Sequence, residues 1–306
     1  MQKIMIVGAG GIGGYLAGQL CRYTPAEVTL VARGASLEEI KSNGLTVLDC
    51  ENSYTVHPAL VTDNPEEAGV QDAVLLCTKS YGLEQAVKQV RPCVASSTLV
   101  LPMLNGISAR RVASEILQTG IVLDGCIYIF SKIQSPGVIE KNSAMGRIEM
   151  GVPAGVAAPA SLQALCDLIN SAHIPCSIPE DLQSNMWMKW ILMLSNAQGA
   201  SYFNVPVGPL RDDPEKFAFV LRLLDEALLV AKAEGVRLPD NARQQTIDVV
   251  HSLAYESTPS LSRDLNTPGK PTELDIFGGE LLRLGKKHHI PLPNMEQLMA
   301  HFADRV

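Results

Sequence analysis

The sequence predicts an α/β domain with a parallel sheet, followed by a domain made only of helices. In the first half, apolar runs of strand length alternate with helix-like segments, as a parallel sheet requires. From position 181 onward only helix-like segments follow, separated by proline and glycine. With 306 residues, 46% of them hydrophobic, the chain can form two cores. We therefore expect one domain over 1–179 and a second over 180–306.

Each expected element follows from its own pattern. Strands are expected where short apolar or β-branched runs end at polar or turn residues, at 4–7, 27–32, 45–48, 54–57, 73–77, 99–103, 120–130, 138–140 and 147–150. Helices are expected between them at 15–20, 37–43, 82–90, 108–117 and 162–171. In the second half, Asp181 is a suitable N-cap for a long apolar helix to Gln198. Further helices are expected at 215–234, 241–257, 273–288 and 294–302.

The first strand leads directly into a glycine-rich turn. Gly8, Gly10 and Gly13 have the G-x-G-x-x-G spacing, with a strand before them and a helix-like run after them. In this spacing the first glycine permits a tight turn, the second lets the backbone approach a pyrophosphate, and the third lets the helix lie close to the strand. The helix N-terminus adds N–H groups and a positive dipole end. We expect a Rossmann-type dinucleotide site formed by Gly8, Ala9, Gly10, Gly11, Ile12 and Gly13.

The end of the second strand indicates which nicotinamide dinucleotide is bound. A site for NAD usually has Asp or Glu there, which binds the ribose 2′-hydroxyl, whereas an arginine pairs with a 2′-phosphate. Arg33 lies at this place, twenty positions after Gly13, and no acid occupies 31–34. We therefore expect NADPH as the cofactor. The alternative is an ordinary solvated arginine at a strand end.

Charge and cysteine content exclude several classes of protein. The formal net charge is −7 and there is no basic run, which argues against nucleic acid or a membrane surface as a partner. The apolar start breaks at Gly8 and the apolar stretch at 187–194 is short, so we expect neither a signal peptide nor a membrane span. The scattered cysteines are typical of reduced thiols in a cytoplasmic protein, not of disulfides or a metal site; they are Cys21, Cys50, Cys77, Cys93, Cys126, Cys166 and Cys176.

Candidate chemical groups lie where expected strands end and inside one apolar helix. Ligands of open α/β sheets bind at the carboxyl ends of strands, where Lys79 and Asn105 lie, although both also fit ordinary turns. Lys189 is surrounded by tryptophan, methionine, isoleucine and leucine, so its helix should be largely buried. A desolvated ammonium can act as a general acid near neutral pH. The alternative is a lysine whose aliphatic stem carries its charge to the surface.

The order and spacing of several motifs resemble the ketopantoate reductase family (2-dehydropantoate 2-reductase) over nearly the whole chain. The motifs are Gly8-Ala9-Gly10-Gly11-Ile12-Gly13, Thr78-Lys79, Asn105-Gly106, Trp187-Met188-Lys189 and Pro271-Thr272-Glu273-Leu274-Asp275. The resemblance implies an NADPH-dependent reduction of 2-dehydropantoate to pantoate, a step of pantothenate biosynthesis. It also implies that Lys189 protonates the substrate carbonyl oxygen and that Glu273 orients Lys189 and the substrate.

The resemblance implies further contacts. Asn105 would hydrogen-bond the substrate near the reacting carbon and lie at the cofactor, and Lys79 would contact cofactor or substrate. Ser260 would bind the substrate carboxylate, and Asp264, which matches a family acid four positions later, would belong to the substrate-binding residues. Without the resemblance, Glu273 is an exposed carboxylate at a helix N-terminus and Ser260 a loop residue.

Two departures from the family pattern concern substrate recognition. Family members often have Asn four and eight residues after the lysine, where this chain has Met193 and Ala197. Asn196, seven residues after Lys189, is nearly in phase with it on an α-helix at about 100° per residue, and we expect it to bind substrate instead. The segment between Asp264 and Glu273 is also one residue longer than usual. A reductase of another branched 2-oxo acid therefore stays open.

Two other functions also stay open. An opine-type or hydroxyacid dehydrogenase would share the two-domain plan but needs another catalytic base. A redox sensor that binds NADPH without turnover would not need the catalytic groups that the resemblance implies, and these are all present. The oligomeric state is open, with a homodimer as one candidate.

Overall fold

The computed structural model describes residues 1–49, 52–141, 146–153 and 155–305, so Cys50 lies outside the described part. The chain divides into two compact units. Unit 1 comprises Met1–Asn105 and Ala109–Leu182, and unit 2 comprises Gly106–Ser108 and Gln183–Val306. The contacts define these units but not what each one binds, so a cofactor domain over 1–179 and a substrate domain over 180–306 remain our proposal.

Unit 1 is the α/β part of the chain. Its strands are β1 (Lys3–Val7), β2 (Glu27–Val31), β3 (Leu45–Asp49), β4 (Asn52–Val56), β5 (Leu60–Thr62), β6 (Ala73–Leu76), β7 (Leu99–Pro102), β8 (Ile121–Val122), β9 (Asp124–Ile127), β10 (Ser131–Ser135), β11 (Val138–Lys141), β12 (Ile148–Gly151) and β13 (Cys176–Ser177). Its helices are α1 (Gly11–Tyr23), α2 (Gly34–Asn43), α3 (Leu83–Val90), α4 (Ala109–Leu117) and α5 (Ala160–Ser171).

Six parallel strands form the main sheet, in the order β5-β2-β1-β6-β7-β8. Two smaller mixed sheets have the orders β10-β11-β3-β4 and β13-β12-β9. The main sheet reverses its direction of growth at β1, which is the doubly wound order of dinucleotide-binding folds. The Rossmann-type parallel sheet expected for the first half is confirmed.

The residues of β1 show why this sheet is covered by helices on both faces. Ile4 and Ile6 belong to one core cluster, with residues of α1 and α5. Met5 and Val7 belong to another, with residues of α3 and α4. Successive side chains of a strand point to opposite faces, so a continuous apolar run is buried on both sides. The carboxyl end of β1 and the glycine-rich turn after it therefore lie at the side of the sheet where the parallel strands end.

Unit 2 is helical, as expected. The helices of this region are α6 (Leu182–Leu192), α7 (Gln198–Phe203), α8 (Val207–Asp212), α9 (Pro214–Ala233), α10 (Ala242–Ser252), α11 (Ser260–Leu265), α12 (Glu280–Lys287) and α13 (Pro293–His301). Two π-turns, Met193–Ala197 and Asp275–Gly279, adjoin α6 and α12. No helix of the described residues is long and apolar enough to cross a membrane.

Several expected elements differ from the structure. The expected strand at 120–130 is two short strands, β8 and β9, and α10 ends five residues before the expected end at 257. The short elements β5, α8 and α11 were not expected, because three to six residues are too few to show a periodicity. The continuous helix expected over 181–198 contains a π-turn.

Candidate functional site

The glycine-rich turn has the geometry that a dinucleotide needs. Gly8 has a φ of +107°, which other residues rarely adopt. A Cβ at Gly13 would lie 2.0 Å from the Gly8 carbonyl oxygen, so only glycine lets α1 begin this close to the turn. A Cβ at Gly10 would meet nothing within 4 Å. No packing contact therefore requires a glycine at position 10. The absence of a side chain there leaves room for a pyrophosphate to approach the backbone closely.

Two hydroxyl groups that sequence reasoning missed flank this turn. Thr78 follows β6, and its backbone nitrogen lies 3.5 Å from the Cβ position of Gly8. Ser131 begins β10, and its carbonyl oxygen lies 2.5 Å from the Cβ position of Gly11. Thr78 Oγ1 and Ser131 Oγ are buried and have no hydrogen-bond partner among the described residues. Thr78 stands in a quoted motif, whereas nothing in the sequence pattern distinguishes Ser131.

Charged groups near the carboxyl ends of β2 and β6 are exposed. Arg33 is the N-cap residue of α2, and its Nη2 donates to Gln89 Oε1 at 2.6 Å. Lys79 is exposed two residues before Tyr81, which is itself exposed. Behind them, burial raises the pKa of the Cys77 thiol, so that this group stays uncharged near neutral pH. The cationic side chains, not the thiol, are available to an anionic ligand.

In unit 2, Trp190 and Gly106 both contact Ile276. The indole Nε1 of Trp190, next to Lys189, donates to the Ile276 carbonyl oxygen at 2.9 Å. The Cβ position of Gly106 lies 3.4 Å from Ile276 Cβ, and Gly106 follows Asn105 directly. Ile276 itself lies three residues after Glu273. Within unit 2, Ile276 thus connects the segment that carries Lys189, the segment that carries Glu273 and the short segment that begins at Gly106.

Lys189 and Glu273 differ in burial. Lys189, which lies between Trp187 and Trp190 in the sequence, is half-buried, whereas Glu273 is only 5% exposed. The alternative in which Glu273 is an exposed carboxylate at a helix end is therefore wrong. A carboxylate this deeply buried needs polar or cationic neighbours, because desolvation of a charge is costly.

The helical phase that we used for Asn196 is wrong. Over seven residues an α-helix would bring Asn196 within about 20° of Lys189. The π-turn at Met193–Ala197 adds one residue to the turn, which displaces later residues by about 100°. The eighth residue, Ala197, is then nearest in phase with Lys189. The assignment of Asn196 as a substrate-binding residue stays a prediction, but the helical phase does not support it.

Two amide side chains at the π-turn are buried without full hydrogen bonding. Asn196 is 6% exposed and Gln198 is 0% exposed. Asn196 Oδ1 and both polar atoms of Gln198 have no partner among the described residues. By contrast, Ser195 Oγ donates to the Ile191 carbonyl oxygen at 2.8 Å, which satisfies a backbone group beside the π-turn.

Ser260 and Asp264 both lie on α11. Ser260 is half-buried at the first position of this helix, after Pro259. Asp264 is 7% exposed, and its Oδ1 lies 2.5 Å from Lys270 Nζ. On the same helix, Ser262 Oγ and Ser201 Oγ of α7 are 2.8 Å apart. Asp264 therefore stabilises the loop that follows α11, whereas Ser260 lies at the first position of α11 itself.

No group of three or more His, Cys, Asp or Glu side chains within the described ranges could hold a metal ion. The described cysteines are free thiols: Cys21, Cys77, Cys93, Cys126, Cys166 and Cys176.

Two family models match most of the chain. The model described as ketopantoate reductase PanE/ApbA matches residues 4–155, and its C-terminal counterpart matches residues 181–305. A 2-dehydropantoate 2-reductase from Mesorhizobium japonicum is 27% identical over 97% of this chain and 96% of that protein.

Solved structures agree with this relationship. The 2-dehydropantoate 2-reductase from Porphyromonas gingivalis has a TM-score of 0.85 at 27% identity, over 99% of both chains. A D-mandelate dehydrogenase with NADH and anilino(oxo)acetate has a TM-score of 0.88 over 99% of this chain and 98% of that one; at 20% identity it shares the fold. The chain belongs to the ketopantoate reductase family, a family of oxidoreductases that use a nicotinamide cofactor.

Proposed function

We propose that this protein is an NADPH-dependent reductase that converts a 2-oxo acid to the 2-hydroxy acid, with 2-dehydropantoate as the first candidate substrate. The observation that carries the proposal is the hydrogen bond from Trp190 to Ile276 within unit 2, which connects the helix that carries Lys189 to the segment that begins at Glu273. Membership of the family and the names of its relatives support the reaction class. The cytoplasmic location expected from the free thiols belongs to this proposal.

The residues of unit 1 fit the cofactor. Gly8, Gly10 and Gly13 provide the bare turn for the pyrophosphate, and Arg33 provides a guanidinium for the 2′-phosphate. Lys79 adds a second positive charge at the end of β6. When bound, NADPH supplies the hydride that the 2-keto carbon accepts.

Other polar side chains would supply the proton and hold the substrate. Lys189 donates a proton to the carbonyl oxygen as negative charge develops there. Glu273 keeps the ammonium in position, and its burial makes that interaction strong because little water screens it. Asn105 hydrogen-bonds the substrate near the reacting carbon, and Ser260 donates to its carboxylate. Asp264 acts indirectly, since it holds the loop after α11 through Lys270.

A second candidate substrate is a branched 2-oxo acid without a terminal hydroxyl. Met193 and Ala197 are nearest in phase with Lys189 once the π-turn is counted, and neither side chain can hydrogen-bond a hydroxyl. Burying the hydroxyl of 2-dehydropantoate unpaired would cost about 1–3 kcal/mol. Asn196, whose buried Oδ1 has no hydrogen-bond partner among the described residues, is our candidate to pair with it.

A steady-state assay of NADPH oxidation with a panel of 2-oxo acids tests both candidates. The panel contains 2-dehydropantoate, 2-oxoisovalerate and an aryl 2-oxo acid, each with NADPH and with NADH. We expect NADPH-dependent turnover, and a kcat/KM for 2-oxoisovalerate that equals or exceeds that for 2-dehydropantoate if the hydroxyl stays unpaired. A preference for 2-dehydropantoate of about a thousandfold or more would exclude the second candidate.

The same assay separates the remaining functions. Turnover of imines formed from amino acids, or of β-hydroxyacids, would identify an opine-type or hydroxyacid dehydrogenase. Tight NADPH binding without turnover of any substrate in the panel would contradict the proposal and favour the redox sensor.

A further inference from the structure

Trp190 forms a hydrogen bond that connects two segments of unit 2. Its side chain is 1% exposed, and its indole N–H donates to the Ile276 carbonyl oxygen at 2.9 Å. On one side of this bond is the helix that carries Lys189, and on the other is the segment that begins at Glu273. A hydrogen bond constrains both the distance and the direction between its two groups, so this one limits how the two segments can move relative to each other.

The carbonyl of Ile276 is available because of the π-turn at Asp275–Gly279. In a regular α-helix the backbone N–H of Glu280 would bond to the Ile276 carbonyl oxygen. Here that N–H bonds to the carbonyl oxygens of Asp275 and Phe277 instead. Trp190 thus donates to a carbonyl oxygen that has lost its α-helical partner, the Glu280 N–H.

Further contacts hold Trp190 and Ile276 in place. Trp187 packs edge-on against Trp190, with ring centroids 5.2 Å apart and an interplanar angle of 79°. Gly106 packs on the side chain of Ile276, with a φ of +97°. Ile276 is therefore fixed at its carbonyl by Trp190 and at its side chain by the loop that follows Asn105.

We propose that Trp190 is a positioning residue of the reductase: its indole N–H holds the π-turn after Glu273 and so orients Glu273 toward the Lys189 helix. The proposal rests on the proposed function, because it assumes that Lys189 and Glu273 carry the proton transfer. Catalytic groups must be held within about 0.5 Å of productive geometry, and a π-turn is a place where the register of a helix can change.

The test compares Trp190→Phe with Trp187→Phe. Each variant loses one indole from the same cluster, but the Trp187 N–H has no hydrogen bond with any described residue. We expect Trp190→Phe to lower kcat about three- to tenfold with little change in KM, the size expected for one lost hydrogen bond. The pH dependence of kcat should be displaced in Trp190→Phe and unchanged in Trp187→Phe.

Amide hydrogen exchange provides a readout that does not depend on turnover. The peptide that contains Asp275–Gly279 should exchange faster in Trp190→Phe and at the wild-type rate in Trp187→Phe. If Trp190→Phe shows the same pH dependence of kcat and the same exchange rate as Trp187→Phe, then Trp190 is an ordinary core residue and the proposal is wrong. If the wild-type protein reduces no 2-oxo acid, the proposed function fails, and unchanged exchange would still overturn the inference.

A second substitution covers the case in which Trp190→Phe does not fold. The chain has 2 tryptophans, so in the Trp187→Phe background benzothienylalanine can replace Trp190 alone. Sulfur then takes the place of the N–H while the shape of the ring is kept. The same loss of kcat and the same faster exchange are expected, and wild-type values for both would overturn the proposal.

Discussion

Gly13 stands so close to Gly8 that a Cβ on it would lie 2.0 Å from the Gly8 carbonyl oxygen. Gly10, between them, has open space where its Cβ would be. The two glycines of one motif therefore have separable tasks. Gly13 allows α1 to pack on the turn, and Gly10 keeps the surface of the turn free for a ligand.

This difference predicts opposite effects of the same substitution. Gly13→Ala should destabilise the protein by about 3 kcal/mol or more, because the methyl group overlaps backbone that cannot move away. Gly10→Ala should have the same free energy of unfolding as the natural protein, yet it should bind NADPH about tenfold or more weakly. Urea unfolding and a fluorescence titration with NADPH measure the two effects. Unchanged NADPH affinity in Gly10→Ala would show that the cofactor does not use this surface.

The fold and the cofactor turn could be read from the sequence because their patterns are local. The strand of β1, its glycines and the helix that follows occupy one short segment, and the structure has them where expected. The phase of Asn196 could not be read, since a helix that is apolar nearly all round has no periodicity from which an added residue could be detected. The burial of Glu273 depends on neighbours that are distant in sequence.

A half-buried ion pair in unit 1, between Arg110 and Asp124, predicts a stability that depends on pH. Burial raises the pKa of the Asp124 carboxyl, although Arg110, with its Nε 2.9 Å from Oδ1, opposes this. In Arg110→Met the carboxylate loses its partner, and its pKa should rise further. We expect a loss of about 1–3 kcal/mol at pH 7, measured by urea unfolding.

The sign of the pH dependence follows from the raised pKa. The folded protein then binds this proton more tightly than the unfolded chain does, so the loss in Arg110→Met should shrink as the pH falls through the folded-state pKa. Arg111→Met is the control, because its ion pair with Glu115 is exposed on both sides. A loss in Arg110→Met that stays equal from pH 7 down to pH 3 would contradict this account.

The cofactor preference can be tested at Arg33. Its guanidinium is exposed and donates to Gln89, and we expect it to pair with the 2′-phosphate of NADPH. Arg33→Ala should weaken NADPH binding by about 1.5–3 kcal/mol. NADH lacks this phosphate and is the internal control, since its dissociation constant should not change. Equal affinities of the natural protein for NADPH and NADH would contradict the preference.

The role of Lys189 can be separated from its packing by a substitution that keeps the aliphatic stem. Lys189→Met should fold and bind NADPH like the natural protein, because methionine keeps an unbranched apolar stem that adapts to irregular packing. Its kcat should fall by about 10²–10⁴-fold, the usual contribution of a positioned general acid. Lys232→Met, at an exposed position of α9, is the matched control. Small amines added to Lys189→Met should restore part of the activity if the missing group is a proton donor. Near-normal turnover in Lys189→Met would mean that the lysine only carries its charge to the surface, and that another group protonates the carbonyl oxygen.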